Sequence, residues 1–492
     1  MKFCTIIYVA EFLRLGGCKR LCQMLKRRII TKGIRLMVTN DKRTVIAYIG
    51  GGSVNYGWKL FSELAAEDIC AAVQLYDTDK QLALANETIG NKLREHPDCK
   101  GDIIYLASET PEDALKNADI VIMSFTQGSM EEMVTEMHLP ETYGIYQAVG
   151  EQTGPSGVIR ALKTLPVYIK YAELIKKICP EAWVINMTNP MSACMLMMHE
   201  VFPEIKLFGS TNELFPALEL LANICEKEFD VQTVRRRDIK YNLIGISGFS
   251  WFDEVTYDGK DIMPLFRDYA EKYYGSGYEI KPNEYKVNPF ASANKIKFDL
   301  FLRYGCIPAV PDRIAADFCP AWYTSSPKTI SSWKFSQTTV NYLKKLKLDK
   351  ISRVKTLMNG GEFLRVGGSS SECGMQIRAL IGQGNLITNV CMRNSGQVEN
   401  LPIGSIVHTN ALISRNSVRP VAAGKLTDEL YGLTIRHVVN QRTIVKSVKE
   451  KDLDIAFNAF LNDPLMSVGL NDATELYKEM LAAVRAHLIY YC

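Results

Sequence analysis

Between Val45 and about Gly209, short apolar runs alternate with longer segments of helical period. Val45–Ile49, Ala72–Tyr76, Ile103–Tyr105, Ile120–Ser124, Trp183–Met187 and Lys206–Phe208 read as buried strands, and Lys80–His96 and Leu165–Ile178 as helices between them. Strands interleaved with helices predict an α/β fold, a Rossmann-like doubly wound parallel sheet with ligands at the carboxyl ends of its strands. Leu214–Glu226 reads as a helix leaving that sheet. Beyond it the order is mixed, with strands at Tyr241–Ile246, Leu386–Met392 and Ser405–Thr409. Helices are expected at Asn294–Leu302, Thr427–Glu450, Asp454–Asn462 and Leu476–Leu488. The expected organisation is a nucleotide-binding domain over 37–215 and a mixed α+β C-terminal domain over 216–492, with a substrate cleft between them.

Length adds one constraint and charge another. A chain of 492 residues is too long for one simple core. A net charge of +4, without a basic block past the N-terminus, gives no nucleic-acid footprint. The 13 cysteines are odd in number, scattered and mostly inside apolar runs, which fits small buried hydrophobes in a reducing cytoplasm. Residues 1–36 stand apart. Phe3–Leu15 is apolar but interrupted by Glu11 and Arg14, and basic residues follow it, the wrong order for a secretory signal. It is also too short to span a bilayer. We expect an extension outside the fold, with Met37 as a second candidate start; a basic helix lying on a membrane surface is the alternative.

The first strand carries the clearest chemistry. Thr44–Ile49 runs into Gly50-Gly51-Gly52-Ser53, and a helix with Trp58, Leu60 and Leu64 follows. Glycines allow a tight turn and close approach of a pyrophosphate, and the helix N-terminus offers free N–H groups. Roughly twenty residues on, the second strand ends in Asp77, an acid placed for the ribose hydroxyls of NAD. Asn55 stands where a third fingerprint glycine belongs, so a tight turn in any α/β protein remains the competing reading.

Further motifs follow in order. They are Gly150-Glu-Gln-Thr-Gly-Pro-Ser-Gly157 leading into Ile159–Leu162, Met187-Thr-Asn-Pro190, Gly209-Ser-Thr-Asn-Glu-Leu-Phe215 and Gly245-Ile-Ser-Gly-Phe-Ser-Trp251. Tyr304–Arg313 and Asn394–Pro402 complete the set. Together, over almost all of the chain after residue 43, they resemble glycoside hydrolase family 4, nearest its branch acting on α-galacturonides. That family departs from two-carboxylate hydrolysis. The resemblance implies that bound NAD⁺ takes a hydride from sugar C3, a base removes the acidified C2 proton, the leaving group departs by elimination, water adds and the hydride returns. It also implies a homodimer or homotetramer, and a manganese ion, held by a cysteine and a histidine, that stabilises the enediolate.

The departures from that pattern fall on the metal. The family's cysteine position is Thr211, its neighbouring histidine Asn212, and its second histidine Gly248. A hydroxyl is a poor substitute for a thiolate and glycine offers nothing, so the Mn²⁺ site is expected to be absent or weakened. None of the six histidines lies in a site motif. The expected assignments are Asp312 as base, Glu213 as the nearest proton donor, and Asn189, Asn212, Glu151 and Arg313 on the sugar. An ion pair between Asp312 and Arg313 is the bland alternative for both. Three activities remain open at this point: a metal-poor glycosidase, a sugar oxidoreductase that stops after C3 oxidation, and a non-catalytic NAD- and sugar-binding protein.

Overall fold

The computed structural model describes residues 43–368 and 371–492; the expectations for residues 1–36 and for Met37 lie outside them. The six early strands form where the apolar runs predict. They are β1 (Thr44–Ile49), β2 (Cys70–Tyr76), β3 (Asp102–Ala107), β4 (Ile120–Met123), β5 (Trp183–Asn186) and β6 (Lys206–Gly209). They lie in the order β3-β2-β1-β4-β5-β6, every neighbouring pair parallel. This is the doubly wound order, which reverses direction between β1 and β4.

Continuous apolar runs are required because both faces of these strands are covered. On β1, Ala47 and Ile49 join the core on one face while Ile46 and Tyr48 join the core on the other. Val121 and Met123 of β4 likewise oppose Ile120 and Ile122. One face is covered by α1 (Tyr56–Ala66) and α2 (Lys80–Leu93), the other by α3 (Gly154–Ile178) and α4 (Met191–Val201). Each fully buried Leu, Ile or Val on these faces contributes about 1.5–3 kcal/mol. The sequence pattern places the start of α3 at Leu165; the helix begins eleven residues earlier, at Gly154, and runs through Pro166.

After α5 (Phe215–Glu228) the chain builds a smaller antiparallel sheet from β7 (Ile239–Ile246), β8 (Phe249–Tyr257), β9 (Lys260–Asp261) and β10 (Ile307–Pro308). Two helices frame it, α6 (Lys295–Tyr304) and α7 (Asp312–Phe318). The lysine-rich α8 (Val340–Asn359) buries little beyond Val340, Val354 and Leu357, so periodicity gave no sign of it. Three late strands, β11 (Leu386–Arg393), β12 (Ile406–Ser414) and β13 (Ser417–Pro420), then return to the first sheet. They extend it antiparallel beyond β6 through the pair Cys391–Gly209, giving nine strands in all. The row Gly209, Cys391, His408 thus crosses three strands. α9 (Asp428–Glu450) packs against the face that carries α3 and α4. Thr44–Cys492 forms one compact unit. No disulfide joins the cysteines of the described residues, and no helix among them is long and apolar enough to cross a membrane.

Close packing between α2 and β3 gives a direct test. A Cβ added to Gly90 would sit 2.6 Å from the ring of Tyr105, a side chain only 1 % exposed. Alanine gains about 1 kcal/mol in helix propensity, but the overpacked ring has nowhere to move. Gly90→Ala is expected to lose about 1–3 kcal/mol net, read from urea unfolding midpoints.

Candidate functional site

At the reversal point, the end of β1 turns through Gly50, whose φ is +98°. A side chain there would strike the carbonyl oxygen of Ser124, at the end of β4, 2.0 Å away. Gly50 and Gly51 both donate to the carbonyl of Tyr76, at 2.9 Å. Gly52 donates to Oδ2 of Asp77 at 2.9 Å, and its missing Cβ would press on that carboxylate. Asn86 of α2 ties the loop down, donating to the carbonyls of Gly51 and Ser53 while accepting from the Trp58 indole. The expected group Gly50, Gly51, Gly52, Ser53 and Asp77 is therefore one preformed cradle, with free carboxylate lone pairs on Asp77. Its side-chain-free turn and the acid beside it fit a dinucleotide.

Beside α1 lies a cavity of about 430 Å³. It gathers Glu151, Asn189, Thr211, Asn212, Glu213 and Arg313, which sequence reading assigned to the site, from three loops and one helix. Asn189 donates to Oε2 of Glu151 at 2.8 Å, and Arg160 stands 3.4 Å from the other oxygen. Arg313 is buried over the ring of Phe290, 4.9 Å from its centroid, and spends one nitrogen on the Pro289 carbonyl. Its Nε has no hydrogen-bond partner. Burial pulls the guanidinium's pKa down, and Glu151 and Asp317 oppose that. Tyr56 and Lys59 also line the cavity, three apart at the start of α1. Burial lowers the Lys59 pKa. Sequence reading missed both, although their spacing on the helix after the glycine loop was the available signal.

Asp312 is not brought into the cavity. It is fully buried, and its two oxygens accept from the backbone N–H groups of Ile296 and Lys297, each at 3.1 Å. Those donors belong to the first turn of α6, where helix geometry leaves N–H groups without partners. Asp312 is a helix cap delivered from another segment, which corrects its expected role as base. Burial raises its pKa, while Lys297 and the two amides pull it down. Nor does it pair with Arg313, which faces the cavity. The neighbouring acid the sequence reading overlooked, Asp317, is the one on the cavity wall. Its carboxylate accepts from the N–H groups of Ala148, Val149 and Gly150 at 2.7–2.9 Å, fixing the loop that carries Glu151.

Glu213 sits in the wall at the end of β6, 7 % exposed. Oε1 accepts from Gly248 N at 3.0 Å. Behind it is His408, wholly buried, its Nδ1 3.1 Å from the same oxygen, off line for a hydrogen bond but at ion-pair distance. The ring's other nitrogen, Nε2, lies 3.0 Å from Asn389 Oδ1. No sequence motif marked His408; a lone histidine in the otherwise apolar and hydroxylic inner face of β12 was the only hint.

The residues do not fit a manganese site. Thr211 offers a hydroxyl, which accepts from Glu213 N at 3.3 Å. Gly248 offers nothing and has φ +81°, and a Cβ there would lie 2.4 Å from the ring of Phe318. Among the described residues no group of three His, Cys, Asp or Glu is placed to hold a metal ion.

The sequence pattern of the family 4 glycosyl hydrolases matches residues 45–227, and that of their C-terminal domain matches 243–466. An alpha-galacturonidase of Thermoanaerobacterium saccharolyticum is 45 % identical over 446 residues, 90 % of this chain and 96 % of that protein. A solved Bacillus subtilis structure described as a glucosidase, lplD, is 40 % identical with a TM-score of 0.85, covering 89 % of this chain and all of that one. A 6-phospho-beta glucosidase of Thermotoga maritima, solved with manganese, NAD⁺ and glucose-6-phosphate, shares the fold at 21 % identity. Its TM-score is 0.73, over 90 % of this chain and 99 % of that one.

The buried acid on the wall predicts a pH effect. Burial pushes the Asp317 carboxyl up to about 6, against the pull of its three amides and Arg313. An unfolded aspartate titrates near 3.9, so folding retains the proton between these values. The contribution to stability is fully present below about pH 4 and is lost as the pH rises through 6. Urea unfolding from pH 4 to pH 7 is expected to show a decline of about 3 kcal/mol at most in the wild type that Asp317→Asn lacks.

Proposed function

The chain belongs to family 4 of the glycosyl hydrolases, and from that premise we propose that it is an NAD-dependent glycosidase cleaving α-linked uronic acid glycosides, galacturonides first among them. The observation that carries this reading is the juxtaposition of a preformed glycine-loop cradle with a cavity lined by the amides of Asn189 and Asn212, the buried Arg313 and the half-buried Lys59. The 45 % identical galacturonidase supports the choice of sugar.

Each residue has a task in this reading. The Gly50–Ser53 turn, closed by its own hydrogen bonds and bare of side chains at its three glycines, gives the pyrophosphate a surface to lie against, and Asp77 takes the adenosine ribose. NAD, when bound, supplies an acceptor for the hydride of sugar C3 and gives it back after cleavage. Asn189 and Asn212 hydrogen-bond the sugar hydroxyls, and Glu151 orients Asn189. Arg313, with its unpartnered Nε, faces the carboxylate of a uronide from the Phe290 side, and Lys59 adds a second cation. With Asp312 committed to α6, Glu213 is the carboxylate that receives the C2 proton once oxidation at C3 has made it acidic. No step is assigned to a metal. Thr211 and Gly248, taken alone, favour a second reading in which the enzyme oxidises C3 and stops.

Incubation with 4-nitrophenyl α-galacturonide and NAD⁺ separates the two. Nitrophenol release without net NADH is expected; NADH formed in equal amount to sugar, with no nitrophenol, would favour the oxidoreductase. Asp77→Ala is expected to weaken NAD⁺ binding about tenfold or more by calorimetry, in line with a lost charged hydrogen bond of about 1.5–3 kcal/mol. Glu213→Gln is expected to stop exchange of the sugar C2 proton with deuterated solvent, and persistent exchange would remove Glu213 as base.

A further inference from the structure

The turn that forms the dinucleotide cradle spends its own donors. Gly50 and Gly51 give their N–H groups to the Tyr76 carbonyl, Gly52 to Asp77, Ser53 to the Gly50 carbonyl and Tyr56 to the Ser53 hydroxyl. In a doubly wound fold the anionic pyrophosphate lies against this turn and the helix that follows it. Amides already bonded do little to offset its charge, so the task falls to side chains.

Helix α8 brings a cation there. Near its start, Val340 and Leu343 pack with Met133 and Met137 of the helix Met130–His138, and Lys344 pairs with Glu131 at 3.0 Å. Near its end, Val354 and Leu357 join Ile89 and Leu93 of α2 in one core. The helix Met130–His138 follows β4 and α2 follows β2, and β1 lies between those strands. α8 therefore bridges the two sides of the crevice in which β1 ends. No side chain between Val340 and Val354 is buried, so the middle of the helix spans rather than packs.

From that middle, Lys350 reaches inward and donates to Oδ1 of Asn55, the residue at the head of α1. This accounts for the departure from the glycine fingerprint, because the residue in the third glycine's place offers a side-chain oxygen to a lysine from α8. The charges nearest Lys350 are Lys59 and Arg353, both positive, and no carboxylate among the described residues offsets it. Arg353 is answered by Glu362 at 3.0 Å. Burial and its two like-charged neighbours pull the Lys350 ammonium's pKa down, as a cation set for an anionic ligand would show.

We propose that α8 is the outer wall of the dinucleotide site, and that the Lys350 ammonium, aimed by Asn55, binds the cofactor's pyrophosphate. This rests on the reading of the glycine loop as an NAD site. An ammonium has donors to spare for phosphate oxygens while it keeps Asn55.

Calorimetry with NAD⁺, and with ADP-ribose, which keeps the pyrophosphate but lacks nicotinamide, tests the assignment. Lys350→Gln is expected to weaken both ligands about tenfold or more, and Lys350→Arg to retain most of the affinity. The fall of NAD⁺ affinity with added salt is expected to be shallower in Lys350→Gln than in the wild type, since one screened charge is gone. Asn55→Ala removes the lysine's partner but keeps its charge, and is expected to cost less affinity than Lys350→Gln. Equal losses in those two variants would mark Lys350 as a tie between helices only and overturn the proposal. A wild-type measurement decides the matter even where the variants fail to fold. Pulse acetylation read by peptide mass spectrometry is expected to show Lys350 protected by NAD⁺, while Lys345 and Lys355, exposed on the same helix, react as before. Lys350 reactivity unchanged by saturating NAD⁺ overturns the proposal. A wild type that takes up neither ligand defeats the proposed function and this assignment with it, whereas undiminished binding in Lys350→Gln defeats this assignment alone.

Discussion

The structure turns on how closely β1 and β4 approach where the sheet reverses direction. The carbonyl of Ser124 occupies the space that any side chain at residue 50 would need. Glycine there lets β1 end in a turn tight enough to direct three consecutive backbone groups onto Tyr76 and Asp77. Helix α1 then starts beside the crevice, its first N–H held by the Ser53 hydroxyl, and Tyr56 and Lys59 on its first turn become part of the cavity wall. A larger residue at position 50 would push β1 and β4 apart, and both the nucleotide cradle and the near wall would move with them.

Elsewhere, the buried carboxylates divide into two kinds. Asp312, Asp317 and Asp463 each accept backbone N–H groups that would otherwise be orphaned, at α6, at the loop 148–150 and at the start of α3. Burial costs such groups several kcal/mol, and multiple amide donors offset it. They are joints between segments distant in sequence. Glu151 and Glu213 have fewer backbone donors and open onto the cavity, which leaves lone pairs for a ligand. The distinction follows from donor count and exposure together, since four of the five acids, all but Asp463, lie within or beside site motifs.

Much of the fold was legible in the apolar runs, because a strand covered on both faces must be apolar throughout. Strand β8 and helix α8 were not, the first because Phe249–Tyr257 mixes buried and exposed positions without clean alternation, the second because α8 buries so few side chains. At the site, the glycine loop, Asp77, Asn189, Glu213 and Arg313 could be named from local motifs. The direction of the Asp312 side chain could not, since it is set by docking against a helix fifteen residues earlier. Nor could His408, which reaches Glu213 only because β12 is the third strand of a row that starts at Gly209. Contacts made across strands leave no spacing signature in a single chain.

That row has a mechanical corollary. The late strands adjoin the parallel sheet at Gly209 and Cys391, with one register pair and no longer ladder to resist sliding. Glu213 follows β6 on one bank of this join, and His408 sits on the other. Shear along the seam therefore loads the Glu213–His408 contact, 3.1 Å long, together with the Gly209–Cys391 pair. The cavity wall at Glu213 thus also fastens the two banks of the sheet to each other.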